Sequence, residues 1–67
     1  MMRTYTFDDF GEAMAFVTRT ALAAEALDHH PDIDIRWNRV TLVLSTHSAG
    51  GLTELDRDLA SKVDGFI

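Results

Sequence analysis

His29-His30-Pro31-Asp32-Ile33-Asp34-Ile35-Arg36-Trp37-Asn38-Arg39-Val40-Thr41-Leu42-Val43-Leu44 is the stretch in which the hydrophobic period of this chain changes. After Pro31, Ile33, Ile35 and Trp37 alternate with Asp32, Asp34 and Arg36. Val40, Leu42 and Leu44 then alternate with Thr41, Val43 and Ser45. A period of two marks half-buried strands, so the stretch predicts two of them. Asn38-Arg39 is read as their two-residue connection, because Asn tolerates the positive φ that tight hairpin turns need.

Upstream of Pro31 the period is helical. Phe10, Met14, Val17, Ala21 and Ala24 recur at spacings of three and four, and Ala13, Phe16, Ala23 and Leu27 widen the stripe. So broad an apolar face predicts burial on more than one side. Asp9 with Glu12 resembles a capping box and sets the start of this helix. Pro31 limits its run, because it disfavours helical geometry at His30 and lacks an amide hydrogen. Ahead of it, Arg3-Thr4-Tyr5-Thr6-Phe7 reads as a short strand with Tyr5 and Phe7 inward, stopped by Asp8-Asp9. Beyond the hairpin, Gly50-Gly51 breaks the pattern. Thr53 with Asp56 then caps a closing helix whose inner side is Leu55, Leu59, Val63 and Phe66. The fold class is therefore α+β: β-α-β-β-α, a three-stranded, mainly antiparallel sheet with two helices packed on one face. Residues 1–67 read as one domain, and a right-handed crossover lays the first two strands parallel with the third between them.

Composition narrows the function. Six basic against eleven acidic residues give a net charge of 6 − 11 = −5, and there is no cysteine, which excludes a disulfide framework and thiolate metal sites. A chain of 67 residues buries a small core, so self-association is the expected support. The longest apolar run, Ala13 to Val17, is far below the ~20 residues of a membrane span. The N-terminus has no apolar stretch of signal-peptide length, so a cytoplasmic location is expected. Scattered Arg and Lys residues argue against direct nucleic-acid binding.

The chemistry gathers at joints between elements. His29 and His30 stand where the first helix ends, and His47 where the hairpin runs into Gly50-Gly51. Histidine titrates near neutral pH, so imidazoles converging with the carboxylates of Glu25, Asp28 and Asp56 would form a general acid-base site. Glu25 and His29, four apart, share a helix face, so the carboxylate can fix the tautomer of the imidazole or raise its pKa. Each residue also has a structural reading. His29 and His30 suit the negative end of a helix. Asp56 suits a capping box, Trp37 a core or interface, and Glu25 a solvated helix face. A metal site from His29, His30, His47 and Asp56 lacks the usual ligand spacing.

The spaced pattern of Glu25, His29-His30-Pro31, Trp37, His47 and Asp56 resembles the pterin-4a-carbinolamine dehydratases, also called 4a-hydroxytetrahydrobiopterin dehydratases. The likeness extends to residues 24–31, 44–47 and 51–56 and to the Asp8-Asp9-Phe10 entry into the first helix. The resemblance implies dehydration of a 4a-hydroxytetrahydropterin to the quinonoid dihydropterin, as part of tetrahydrobiopterin recycling, without a metal or organic cofactor. It implies that His29, His30 and His47 are the active-site histidines, with His29 and His47 as the acid-base pair and His30 orienting the substrate. Pro31, Thr46, Ser48 and Ala49 match positions that contact the pterin. Glu25 and Asp56 match positioning carboxylates, and Trp37 a pocket wall.

Members of that family usually carry a further helix and strand upstream, so the resemblance implies an N-terminally short member with an open sheet edge. It also implies a homodimer or homotetramer. Two other readings share the fold: a non-catalytic oligomerisation or transcription-accessory module, and a pterin-binding regulator without turnover.

Overall fold

The structure is a computed structural model that describes residues 1–45 and 53–67. Its elements run β1 (Met2–Thr6), α1 (Phe10–Leu27), β2 (Asp32–Arg36), β3 (Arg39–Val43) and α2 (Glu54–Asp64). The sheet order is β1-β3-β2, and both pairings are antiparallel. The first two strands thus run parallel with the third between them, as the pattern predicts.

Register divides the sheet into two faces. Val40 and Leu42 are fully buried, and they stand opposite Tyr5 and Arg3 on β1 and Ile35 and Ile33 on β2. Strand alternation turns these residues toward the helices and leaves Thr4, Thr41 and Asp34 on the open face, where the Thr4 and Thr41 hydroxyls lie 3.1 Å apart. Phe16 of α1 fills the space between the layers, its ring 4.8 Å from Tyr5 and 5.1 Å from Phe7. Leu44, Leu59, Ala60 and Val63 complete the core. Each fully buried large side chain of this set stabilises the fold by about 1.5–3 kcal/mol. Among the described residues no helix is long and apolar enough to cross a membrane.

The ends of α1 follow from its caps. The Asp9 carboxylate accepts the Glu12 amide at 2.8 Å, and the Glu12 carboxylate reaches back to the Asp8 amide at 3.3 Å. At the other end Asp28 takes a left-handed conformation, φ 49°. The Asp28 amide then donates to Glu25 and the His29 amide to Ala24, which is a Schellman closure. The helix therefore stops before His29, ahead of Pro31.

Three details differ from the sequence pattern. The buried stripe of α1 is Ala13, Phe16, Thr20 and Ala24, while Phe10 and Ala21 are exposed, because one sheet and one helix cover only a narrow sector of the cylinder. In α2 the inner positions are Asp56, Leu59, Ala60 and Val63, and Leu55 faces outward. The hairpin turn is Trp37-Asn38 rather than Asn38-Arg39, since Arg36 pairs with Arg39. Asn38 is bound on both sides to Phe7: its side-chain amide donates to the Phe7 carbonyl, and its own carbonyl accepts the Phe7 amide, each at 2.8 Å. That tether fixes the turn and places Trp37 at φ 54°, with 65% of its surface exposed. A bulky residue in this region carries roughly 1–3 kcal/mol of strain.

Candidate active site

Two histidines leave the end of α1 in succession and diverge. The Schellman turn at Asp28 drives His29 inward, where it is only 8% exposed. Its Nε2 lies 2.5 Å from Oδ1 of Asp56, which is fully buried in the first turn of α2. The other oxygen of Asp56 accepts the Thr53 amide at 2.9 Å, as one limb of the α2 capping box. Capping and pairing with histidine, which the sequence offers as alternatives for Asp56, are thus performed together by its two oxygens. An ionised Asp56 accepts on both, so Nε2 of His29 carries the donated proton and Nδ1 is left to face elsewhere.

His30 turns the other way. Its side chain is 57% exposed, and its Nε2 lies 3.0 Å from Oε2 of Glu25. The sequence pairs Glu25 with His29 by helical spacing, and the structure corrects this. The helix ends at Leu27, so residue 29 no longer lies above residue 25, and the left-handed turn at Asp28 brings the next imidazole over Glu25 instead. Asp28 itself is exposed and serves as the left-handed cap, outside the cluster.

Pro31 is half-buried between His30 and β2. Trp37 does not join this cluster within one chain. It sits at the far end of β2, six residues beyond Pro31, or about 20 Å at ~3.3 Å per residue. Of the two structural readings of Trp37, core and interface, the core one is corrected, since Trp37 stands in the hairpin turn and is exposed. An aromatic on an alternating run normally packs, but here the Asn38 tether shifts the turn by one residue. His47, with Thr46, Ser48 and Ala49, lies outside the described residues.

The described part of the site is a pair of imidazoles, each set against a carboxylate, where the end of α1 meets the start of α2. Imidazoles oriented by carboxylates are an arrangement able to give and take protons. The chain matches the family described as Pterin 4 alpha carbinolamine dehydratase over residues 1–66. A relative from Roseiflexus castenholzii named after that dehydratase is 57% identical over 65 residues, covering 97% of this chain and 70% of its own. One from Thermomicrobium roseum, named alike, is 60% identical over 63 residues, covering 94% and 68%. The crystal structure of a transcriptional coactivator/pterin dehydratase from Brucella melitensis superposes with a TM-score of 0.93 at 45% identity, over 96% of this chain and 68% of that one. This chain belongs to the pterin 4 alpha carbinolamine dehydratase family.

Proposed function

We propose that the protein dehydrates a 4a-hydroxytetrahydropterin to the quinonoid dihydropterin, in the recycling of tetrahydrobiopterin. The observation that carries this reading is the placement of His30 against Glu25 and His29 against Asp56, in a chain of this family. The reaction breaks the bond between carbon 4a and the hydroxyl oxygen. The lone pair of the adjacent ring nitrogen forms the new carbon–nitrogen double bond, the departing oxygen gains a proton, and a ring N–H loses one, so that water leaves and charge balances. One acid and one base suffice.

Burial supports a revision of the roles that the resemblance implies. His30 is accessible to a flat ring and is oriented by Glu25, which suits it to proton transfer. His29 is held by Asp56 and offers the ring only Nδ1, which suits it to orienting the substrate. His47 is the second proton-transfer group of the proposal, with Pro31, Thr46, Ser48 and Ala49 lining the ring. The test is the rate at which purified protein consumes chemically generated 4a-hydroxytetrahydropterin. His30→Ala is expected to lower kcat by about 10²-fold or more. An unchanged rate in that variant removes the role of His30, and no acceleration by the wild-type chain removes the function.

A transcription-accessory role is the second reading, supported by the coactivator half of the description of the Brucella melitensis structure. It predicts a folded, self-associating chain with no dehydration rate.

A further inference from the structure

The joint that holds His29 and His30 is acidic. Glu25 lies 3.0 Å from His30, Asp28 immediately precedes the two histidines, and Asp32 opens β2 two residues beyond His30, about 7 Å along the chain. All three are exposed. Residues 24–35 contain no Lys or Arg, and neither do residues 44–56, which include the segment carrying His47. We propose that the site selects its substrate by charge: through Glu25, Asp28 and Asp32 it takes a pterin whose side chain is neutral and turns away one whose side chain carries a phosphate ester. The selection rests on the proposed function and names the substrate class of that site.

The helix ends reinforce the sign. α1 stops beside the histidines, and its last turn has no basic residue, so the negative end of its dipole, equivalent to about half an elementary charge, has no Lys or Arg to offset it. The positive end of α2, which would otherwise draw an anion, is already answered by Glu54 and Asp56 in its first turn. The nearest cations along the chain are each offset by acids. Nε of Arg36 lies 3.3 Å from Oδ1 of Asp34, and Arg57 follows Asp56 with Glu54 three residues before it and Asp58 one after. The other cations lie away from the joint: Arg3 on β1 against Asp64, Arg19 in the middle of α1, Arg39 at the start of β3 and Lys62 in the last turn of α2.

A phosphate ester brings a charge of about −1.5 to −2 at pH 7. A ring lying against His29 and His30 holds its side chain closer to these carboxylates than the Debye length of about 30 Å at 0.01 M ionic strength, so the repulsion reaches it nearly unscreened. At 1 M that length is about 3 Å. Exclusion by charge is thus marked by its dependence on salt, whereas exclusion by shape has none. A neutral side chain meets no such barrier, and a hydroxyl on it can donate to the same carboxylates.

The test compares 6-hydroxymethyltetrahydropterin with its phosphate ester, each converted chemically to the 4a-hydroxyl form. At 0.01 M ionic strength kcat/KM of the ester is expected to lie about tenfold or more below that of the alcohol, and the gap to close to about threefold or less at 1 M. Equal values at low salt overturn the proposal, and so does a gap that salt leaves unchanged. Asp28→Asn with Asp32→Asn removes two charges, and asparagine also accepts the left-handed conformation at residue 28. At low salt the ratio of ester to alcohol is expected to rise about threefold or more in that variant, and an unchanged ratio overturns the role of the two aspartates. Calorimetric binding of the oxidised forms, 6-hydroxymethylpterin and its phosphate ester, judges the selection without turnover. Binding of neither, or of both alike at low salt, overturns it. If the alcohol binds and its 4a-hydroxyl form is consumed no faster, it is the proposed function that fails, while the ratio of the two dissociation constants still decides the selection.

Discussion

Nε2 of His29 and Oδ1 of Asp56, 2.5 Å apart, join the end of α1 to the first turn of α2 inside the core. Since Oδ2 of the same carboxylate accepts the Thr53 amide, one side chain fixes the start of a helix and the orientation of an imidazole. Asp56→Ala is expected to strand the Thr53 amide and the buried imidazole together and to cost about 3 kcal/mol of stability. In a domain of this size that lowers Tm by roughly 10 °C or more. Asp56→Asn keeps the shape and can still accept hydrogen bonds, so it should lose less. Thermal unfolding of both variants checks the order.

Thr20 provides a converse case. It is fully buried in α1, and its hydroxyl has no hydrogen-bond partner among the described residues. A stranded buried hydroxyl costs about 1–3 kcal/mol, whereas valine occupies the same volume without it. Thr20→Val is therefore expected to stabilise the protein by about 1 kcal/mol, read as a higher urea midpoint at unchanged slope. Thr20→Ala, which leaves a void, should not share the gain.

The order of elements and the central place of β3 were legible because the period changes from 3.6 to 2 at Pro31, and a sheet with one buried face admits few registers. The partners of the two histidines were not. Helical spacing pairs Glu25 with His29, and only the left-handed turn at Asp28, a conformation that an aspartate does not announce, hands Glu25 to His30. Trp37 misled for a related reason. Its residue type signals a packed strand position, while the turn it occupies is selected by distant hydrogen bonds between Asn38 and Phe7. Both cases are local preferences overridden by contacts from elsewhere in the chain.

Removing the strain at Trp37 gives a further prediction. Glycine reaches positive φ without steric cost, so Trp37→Gly should relieve about 1 kcal/mol at φ 54°. A higher Tm for Trp37→Gly than for the wild-type chain is the expected outcome. An equal or lower Tm means that the Trp37 side chain stabilises its own chain.

Tyr5 bears on alkaline stability. Its hydroxyl donates to Oδ1 of Asp64 at 2.5 Å, and Arg3 approaches the other oxygen of Asp64 at 3.6 Å, so that β1 is tied to the end of α2. Burial raises the Tyr5 pKa from 10.0 to about 12, assisted by the hydrogen bond to Asp64 and by that carboxylate's charge, and opposed by Arg3. Folding thus favours the neutral phenol. Its contribution to stability is whole below pH 10, where the unfolded chain still holds the proton, and is lost as pH rises through about 12. Tyr5 is the only tyrosine, so tyrosinate absorbance reports this one group. The midpoint should lie near 12 in the folded wild type and fall part of the way toward 10 in Asp64→Asn, which removes the carboxylate's charge and leaves the burial that is the larger cause. A wild-type midpoint near 10 in protein that is still folded by circular dichroism would show that Tyr5 is neither buried nor held by Asp64 in solution.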